Sequence, residues 1–600
     1  MVFKSLPIKY DLYSRARLGD NRKEASVDLI DVSVPRAPEP EAAVEKPAES
    51  TGLWNLAIDP LTRASNGLVL NSFIDFDQRR VLDAYVEHTQ FCGFELILKE
   101  RHAADVIQLA CRSSGRSSGA HAIAATMALE MAANIAPPPL ALITRNLGSC
   151  GEMISESVRH LFQLAGPDYS EAAVSRTSLS IWAKAQMTRA PGVEVHDLPT
   201  IADIMREMNP MTGSLYVEAI QIARLGYEIA TMIFGKYPHP ATIFPGGLGI
   251  EANKELYNQI LGRVNTLLDY AKKVTAIWDD LVDFFYEADP RYRSSGELPG
   301  NLLSVGCWDD PDSYDASYTN CNDWARRRMA APGIITEREW RTARLSDINI
   351  GIEEFIDHAY YQPWSQCPFP ADPLSMPLSP LHPWNKETIP APTERRWNER
   401  YSWSSAPRWD RQTMETGALA LLWVNAVNNR AGSEFIQQDR QGLDFNLPMG
   451  KRQAATLRWR IPEKPNTLER NRARAYQMAY AGLTAYASLL RAFDLVGSGQ
   501  TRMSAGQFYT QQFFAPLAIG AGFWESSSGA VIHHLVSRNT TIANYQIITP
   551  TGWMGSPRDS LGLPGIYEAA VINTPLLEEC TRSEDFTGID ILRTIRSFDP

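Results

Sequence analysis

A Ser/Gly-rich turn is the stretch of this sequence whose residue types and spacing most suggest chemistry. Residues 111–124 read CRSSGRSSGAHAIA and run into the apolar stretch AATMALEMAANI. A phosphate-binding loop would need the pattern GxxxxGK[ST], but no lysine follows these glycines. A plain linker fits poorly as well, because apolar helical patterns flank the turn on both sides. The spacing therefore predicts a turn that feeds a buried helix.

Cysteines are the usual ligands for soft metals, and the chain has seven of them. Zinc knuckles and disulfide frameworks need closely spaced pairs, and no CxxC pair is present. The odd count and wide spacing favour a reducing compartment. The seven residues are Cys92, Cys111, Cys150, Cys307, Cys321, Cys367 and Cys580.

Charge and hydropathy exclude several classes of function. The 600 residues carry a formal net charge of −11, whereas binding to a phosphate backbone needs clustered Lys and Arg. The densest basic stretch, LERNRARAY at 468–476, has helical spacing and favours a solvated or salt-bridged helix face. No signal-peptide core and no apolar run of roughly 18 residues is found. We therefore expect a cytoplasmic protein with no transmembrane segment and no nucleic-acid partner.

Periodicity predicts the elements that must hold the turn. Residues 1–52 read as an N-terminal extension that ends in a Pro/Ala/Glu linker, and one domain spans 53–600. Residues 290–412 are rich in Pro, Trp, Asp and Ser, which indicates irregular insertions. Short strands are expected at 530–537 and 543–550, so the fold class is mainly α with minor β (α+β). Helical spacing predicts helices over 76–100, 198–208, 214–235, 253–288, 413–428 and 466–495.

Eight ordered blocks of sequence make a pattern that resembles a known family. They include AIDPLTRASNGLVL at 57–70, FCGFELILKERHAAD at 91–105, the Ser/Gly turn, GKYPHPATIFPGG at 235–247 and FWESSSGAVIHHL at 523–535. In this order they resemble the large, catalytic subunit of NiFe hydrogenases. The resemblance implies that family's mainly α-helical body, paired with a small subunit that carries iron–sulfur clusters.

The resemblance also locates the family's metal-binding positions. Its turn reads R-x-C-G-x-C-x-x-x-H, and this sequence has serine at both cysteine positions, Ser114 and Ser117. The family's second pair lies in a D-P-C-x-x-C stretch, and the sequence stops at Asp599 and Pro600. The resemblance thus implies a degenerate member that lacks all four metal-binding cysteines. A serine hydroxyl is a hard ligand that stays protonated at neutral pH, so it does not replace a thiolate.

Other positions of the family's pocket are carried over residue by residue. The proton-relay Glu of the family falls at Ser65, and the Arg of its E-x-P-R-G motif falls at Ser528. A pocket Asp aligns with Glu156. Glu95 matches the magnesium-binding Glu, but the His that shares the ion would lie beyond Pro600, which leaves that ion doubtful. The remaining positions of the former pocket are Arg63, Arg112, His121, Glu525 and Asp599.

One histidine is expected to face the partner. His239, in YPHP, matches the family's His next to the nearest iron–sulfur cluster of the small subunit. For each of these positions, a structural role such as helix capping is the alternative. We expect no cofactor in this chain itself, and iron–sulfur clusters in the partner subunit.

Two hypotheses about function follow from this resemblance. In the first, the chain is a pseudoenzyme that pairs with an iron–sulfur small subunit in an electron-transfer or redox complex, without using H2 at a NiFe centre. The quinone-site subunit of respiratory complex I, which looks like a hydrogenase large subunit without its cysteines, is a precedent. In the second, the chain is a non-enzymatic scaffold or a maturation or assembly factor. An active hydrogenase is disfavoured, and no catalytic residue is assigned.

Overall fold

The structure is a computed structural model that describes residues 8–11, 14–18, 53–63, 67–428, 433–448, 455–506 and 515–600, and within these ranges α-helix is the most abundant regular secondary structure. The longest helices, α10 and α14, hold 35 and 31 residues. The α-helices of the described ranges are α1 (Phe94–Leu98), α2 (Val106–Ala110), α3 (Ser118–Ala133), α4 (Pro139–Arg159), α5 (Glu171–Thr177), α6 (Leu179–Met187), α7 (Val193–His196), α8 (Ile201–Glu207), α9 (Ser214–Phe234), α10 (Lys254–Ala288), α11 (Cys321–Arg326), α12 (Leu345–Ile350), α13 (Ala418–Val427), α14 (Thr467–Gly497), α15 (Pro550–Met554), α16 (Ile566–Ile572) and α17 (Ile589–Arg596).

The strands of the described ranges form small antiparallel sheets. Four sheets have three strands, in the orders β3-β4-β5, β10-β9-β8, β13-β14-β15 and β16-β17-β18, and three are pairs, β1-β2, β6-β7 and β11-β12. The strands are β1 (Ile8–Asp11), β2 (Ser14–Leu18), β3 (Leu53–Ile58), β4 (Leu68–Asp75), β5 (Arg80–His88), β6 (Ile243–Phe244), β7 (Gly247–Leu248), β8 (Leu302–Ser304), β9 (Gly333–Thr336), β10 (Glu339–Thr342), β11 (Ile352–Phe355), β12 (Ala406–Trp409), β13 (Ile436–Gln438), β14 (Gly442–Leu447), β15 (Ala455–Arg460), β16 (Ala518–Ser526), β17 (Gly529–Arg538) and β18 (Thr541–Ile548).

The long helices pack on one another and form the core. The side chain of Asn253 caps α10 by accepting a hydrogen bond from the N–H of Leu256, and Asn466 caps α14 in the same way. α4 packs against α9 and α14, and α10 packs against α14. This helical body with small sheets confirms the predicted α+β class.

The helix that follows the Ser/Gly turn lies deep in the protein. Of the 16 residues of α3, 14 are buried. β16 crosses α3 at very short range. A Cβ atom at position 522 would lie only 1.7 Å from the carbonyl oxygen of Ala124, and a Cβ atom at position 520 only 2.0 Å from that of Ala128. Only glycine permits such an approach, and this contact fixes α3 and the turn that precedes it.

The helix predicted over 76–100 is wrong in its first half. Arg80–His88 form strand β5, which pairs with β4 along its length, and only Phe94–Leu98 are helical. The pairing shifts between Phe73 and Ile74 of β4, which leaves Leu82 as an extra, exposed residue, and the bulge lets both Val81 and Ala84 be buried. A segment this short does not separate the two periodicities, and its partner strand decides the outcome. The predicted strands near 530–548 are confirmed as β17 and β18.

Most of the predicted extension, residues 1–52, lies outside the described residues, as does Ser65. Within that extension, strands β1 and β2 pair with each other. Between 290 and 412 the elements are short, from β8 to β12 with the six-residue helices α11 and α12. No helix in the described ranges combines the length and apolar character needed to cross a membrane.

Candidate functional site at the Ser/Gly turn

The Ser/Gly turn joins α2 to α3 through hydrogen bonds of its own. The Ser114 hydroxyl accepts a hydrogen bond from the N–H of Ser117 at 3.0 Å. Ser117 precedes α3 but its side chain does not cap the helix. The carboxylate of Glu152 on α4 does so instead, since it accepts hydrogen bonds from the N–H groups of Gly119 at 2.8 Å and Ala120 at 3.0 Å. Burial raises the pKa of Glu152 to about 8, so at neutral pH its oxygens cap the helix mainly as a neutral carboxyl group.

Arg116, which lies between the two serines, joins two buried acids. Its Nε lies 2.7 Å from Oε2 of Glu156, and its Nη2 lies 2.7 Å from Oδ1 of Asp599. The side chains of both acids are 1% exposed, whereas that of Arg116 is 20% exposed. The structure therefore brings together two predicted pocket residues through an arginine that sequence reasoning did not single out.

Asp599 is held by two further basic side chains. Nη1 of Arg474 lies 3.2 Å from its Oδ2, and Nδ1 of His160 lies 3.1 Å from its Oδ1. The same Arg474 atom donates a hydrogen bond to the carbonyl oxygen of Ser527 at 2.6 Å. Burial alone would raise the pKa of Asp599, but Arg116, His160 and Arg474 outweigh it and hold that pKa well below its usual range. Asp599 is therefore ionised throughout the physiological pH range.

Glu156 has an equally complete set of partners. It accepts hydrogen bonds from the hydroxyls of Tyr237, at 2.9 Å, and Tyr227, and the two tyrosine rings stack with centroids 4.2 Å apart. Arg159, one turn along α4, lies 3.3 Å from Oε1. We refer to Arg116, Glu156, Asp599, Arg474 and His160 as the Arg116 cluster. A buried ion-pair network is costly to break, and here both carboxylates are well partnered, although Nε of Arg474 has no hydrogen-bond partner among the described atoms.

Sequence reasoning missed Arg116, Arg474 and Glu152. The available signals were a basic residue inside a Ser/Gly turn, and the stretch at 468–476, which was expected to be a solvated or salt-bridged helix face. That stretch lies in α14 and is salt-bridged, but Arg474 is buried. Arg470 is buried as well and lies 2.8 Å from Glu415. Helical spacing alone does not show which basic side chains face inward.

Glu525 and Ser528, both predicted pocket residues, form hydrogen bonds with residues outside the Arg116 cluster. Oε1 of Glu525, at the end of β16, accepts hydrogen bonds from the Ser304 hydroxyl at 2.9 Å and the Val305 N–H at 2.7 Å. The Ser528 hydroxyl lies 3.2 Å from that of Ser526. Burial raises the pKa of Glu525 to about 8, so this carboxyl is largely protonated at neutral pH.

We expect Glu525→Gln to remove a pH-dependent loss of stability. Because the folded-state pKa of Glu525 is about 8 and an unfolded Glu titrates near ~4.3, only the unfolded state loses this proton between those values. Wild-type stability from this group therefore falls as pH rises, by at most about 1.4 kcal/mol per pH unit. Gln keeps Oε1 as the acceptor. Urea unfolding should show that the free energy of unfolding of the variant, relative to that of the wild type, is higher at pH 7.5 than at pH 5.5. Parallel pH profiles of the two proteins would contradict this.

Two of the predicted histidines lie close to the turn. Nδ1 of His121 lies 2.9 Å from Nε2 of His533, and burial lowers the pKa of His121 to about 3. His239 is half-buried, and its backbone N–H donates a hydrogen bond to the Ser118 hydroxyl at 2.9 Å. The YPHP segment thus packs against the first residue of α3. The expected role of His239 beside a partner's cluster stays a prediction.

The remaining predicted residues lie in other surroundings. Arg112 is exposed. Nη2 of Arg63 lies 2.7 Å from Oδ1 of Asp168. Glu95, at the start of α1, is near Lys386, and burial raises its pKa although that lysine opposes the shift. Their assignment to one pocket stays a prediction.

The chain is similar to hydrogenase large subunits in both sequence and structure. The uptake hydrogenase large subunit of Bradyrhizobium diazoefficiens is 27% identical over 601 residues, which cover 91% of this chain and 94% of that protein. Hydrogenase-1 large chain of Escherichia coli is 27% identical over 594 residues, covering 91% and 93%. An actinobacterial-type NiFe-hydrogenase structure from Ralstonia eutropha H16 superposes with a TM-score of 0.88 at 34% identity, covering 91% of this chain and 99% of that one.

These matches contradict the prediction that this chain carries no cofactor. The proteins whose fold it shares are NiFe and Ni-Fe-Se hydrogenases, the latter including that of Desulfomicrobium baculatum at a TM-score of 0.68 and 22% identity. The described side chains nevertheless do not fit a thiolate-held centre, since Ser114 and Ser117 offer hydroxyls. Burial raises the pKa of the nearby Cys111 thiol to about 11. Within the described ranges, no group of three His, Cys, Asp or Glu could hold a metal ion.

The match to the family as a whole extends over most of the chain. The sequence profile described as "Nickel-dependent hydrogenase" covers residues 92–188 and 197–600. These ranges contain the Ser/Gly turn, the YPHP segment and every member of the Arg116 cluster. The resemblance read from eight sequence blocks is confirmed. This chain therefore belongs to the nickel-dependent hydrogenase family, as a homologue of its large subunit.

Proposed function

We propose that the chain is the large subunit of a redox complex, that it pairs with an iron–sulfur small subunit, and that its pocket does not cleave H2. The pairing is supported by relatives that are themselves named large subunits or large chains and that match over 91% of this chain. The part about H2 is supported by the side chains at the turn. The two parts are independent and are tested separately.

The Arg116 cluster is the observation that carries the proposal. The guanidinium of Arg116 lies between Glu156 and Asp599 at 2.7 Å from each, so both carboxylates already have a permanent cation. A guanidinium keeps its proton at any physiological pH and offers donors only. It orders the site but neither accepts a proton nor binds a substrate as a Lewis acid. The cluster therefore suits a structural or electrostatic role better than H2 cleavage.

The surface over the turn is accessible and basic, which suits a protein partner. Arg112 and Lys236 are exposed and His239 is half-buried. Burial lowers the pKa of His239, and the positive charges of Arg112 and Lys236 lower it further. Complementary charge on a partner would steer its approach to this face.

We expect the isolated complex to show no H2-dependent reduction of a dye such as benzyl viologen. Ser114 and Ser117 supply no thiolate, and Arg116 already neutralises the adjacent acids. The same preparation, reduced with dithionite and then freed of excess dithionite by gel filtration, should still pass electrons to the dye through the partner's clusters. Hydrogenase-1 of Escherichia coli, assayed in parallel, is the positive control. Reduction of the dye under H2 above the rate under argon would contradict the proposal.

The scaffold or assembly-factor hypothesis makes a different forecast for the same preparation. A scaffold would bring no clusters with it, so after removal of the excess dithionite the protein would hold no electrons to pass to the dye. In that case the redox part of the proposal fails, and the assignment to the family stands unchanged.

A further inference from the structure

Glu152 on α4 is a buried carboxyl group that lacks the cations its neighbour has. Glu152 is 4% exposed, and among the described residues no basic side chain is a main influence on its charge. Glu156, one turn further along the same helix, is paired with Arg116 and Arg159. A buried acid without a cation resists ionisation, and burial accordingly raises the pKa of Glu152 to about 8. Glu152 can therefore exchange a proton under conditions in which the protein is folded.

A single hydroxyl group joins Glu152 to the surface assigned to the partner. We refer to the surface around Arg112, Lys236 and His239 as the partner face. The hydroxyl of Ser118, the first residue of α3, forms a side-chain hydrogen bond to Glu152. The same hydroxyl accepts a hydrogen bond from the backbone N–H of His239 at 2.9 Å. The buried carboxyl is thus linked to the partner face through one side chain.

The segments packed around Glu152 bring further titratable groups close to it. Glu156, on α4 itself, adds a negative charge that raises the pKa of Glu152. The charge of Glu152 in turn raises the pKa of Cys111, before the Ser/Gly turn, and of Tyr237, in the YPHP segment. α9 contributes the uncharged ring of Phe234, and the first turn of α3 contributes N–H donors. Burial and Glu156 favour the protonated form of Glu152, and more negative charge nearby would favour it further.

We propose that Glu152 takes up a proton when the partner's iron–sulfur cluster at the partner face is reduced. This inference rests on the proposed redox function, because it needs a cluster in the partner subunit. In the step, a one-electron reductant of the viologen class gives one electron to the oxidised cluster, and the Glu152 carboxylate gains one proton from the solvent. The O–H bond of the carboxyl group is the bond that forms, and the proton balances the charge of the electron.

The direction of the pH dependence follows from the two states of the cluster. Glu152 has a pKa of about 8 in the chain itself, and the added negative charge of a reduced cluster raises that pKa. Between the two values reduction takes up a proton. The ratio of reduced to oxidised cluster at a fixed applied potential therefore falls as pH rises, by at most about 10-fold per pH unit. Below both values Glu152 is protonated in either state, and the ratio does not change.

Spectroelectrochemical titration of the isolated complex, with viologen mediators between pH 6 and 10, tests the inference. We expect the wild-type ratio to be constant at the acidic end and to fall at the alkaline end, and the ratio of Glu152→Gln to be constant throughout. Glu525→Gln is the matched control and should keep the wild-type profile. Glu525 is equally buried and also has a pKa of about 8, but it bonds to Ser304 and Val305. A constant wild-type ratio, or a wild-type profile in Glu152→Gln, would overturn the inference.

An infrared titration separates failure of this inference from failure of the proposed function. In the chain without a partner, the difference between wild type and Glu152→Gln should show one carboxyl group whose carbonyl band disappears between pH 6 and 10. A complex without clusters would refute the proposed redox function and the proton uptake together, even if this band titrates. A complex with clusters but without the titrating band would refute the proton uptake alone. If Glu152→Gln does not fold, the wild-type titration of the cluster still decides the inference.

Discussion

Replacement of Arg116 by alanine is expected to lower the free energy of unfolding by about 3–5 kcal/mol, the usual cost of removing one partner from a buried ion pair. The variant would leave Glu156 without its closest cation and Asp599 with only Arg474 and His160. Both acids are 1% exposed, so their carboxylates lose their closest cation in a largely buried position. Urea denaturation followed by circular dichroism measures the change.

A matched surface arginine separates this effect from a general loss of charge. Arg206 is 47% exposed and pairs with Asp203 one turn away on α8, and Arg206→Ala should cost no more than about 1 kcal/mol. Adding Glu156→Gln to Arg116→Ala should recover part of the loss, because one of the two uncompensated charges is then gone. A cost for Arg116→Ala as small as that for Arg206→Ala would show that the cluster does not hold the site.

Gly522→Ala should destabilise the protein by about 3 kcal/mol or more, or prevent folding. The new methyl group would lie 1.7 Å from the carbonyl oxygen of Ala124, so β16 and α3 would have to separate. Both elements are buried along almost their whole length, which leaves no room for a local adjustment. Thermal unfolding of the purified variant, or its absence from the soluble fraction, measures the effect.

Gly262→Ala is the matched control for this substitution. Gly262 lies within α10 and is exposed, and a methyl group added to it would meet no atom within 4 Å. Alanine is the better helix former there, so this variant should be neutral or more stable by up to about 1 kcal/mol. Equal stability of Gly522→Ala and Gly262→Ala would mean that β16 and α3 do not approach each other closely enough to exclude a methyl group.

Long helices with sustained periodicity and capping residues could be predicted from the sequence. The predicted ranges 214–235, 253–288 and 466–495 agree closely with α9, α10 and α14. Asn253, Asn466 and Gly235 mark their ends through side-chain caps and a left-handed backbone. Strand β5 could not be predicted in this way, because its conformation depends on pairing with β4 rather than on its own short pattern.

The candidate site was predictable only in part. The Ser/Gly turn and its buried helix follow from local pattern, and the resemblance to a family supplied Glu156 and Asp599. The role of Arg116 did not follow, since its partners lie 40 and 483 residues away along the chain. Long-range ion pairs leave no periodic trace in a sequence. The same holds for Arg474, which is 125 residues from Asp599.

Purification of the native protein from its own cells, with quantification of any second chain and of iron, tests the proposed pairing. We expect an equimolar second subunit, with iron and with the visible absorbance of iron–sulfur clusters that bleaches on reduction. We also expect this subunit to protect the face around Arg112, Lys236 and His239 from chemical labelling. Isolation of the chain as a monomer without iron would rule out the iron–sulfur pairing and leave a scaffold role in its place.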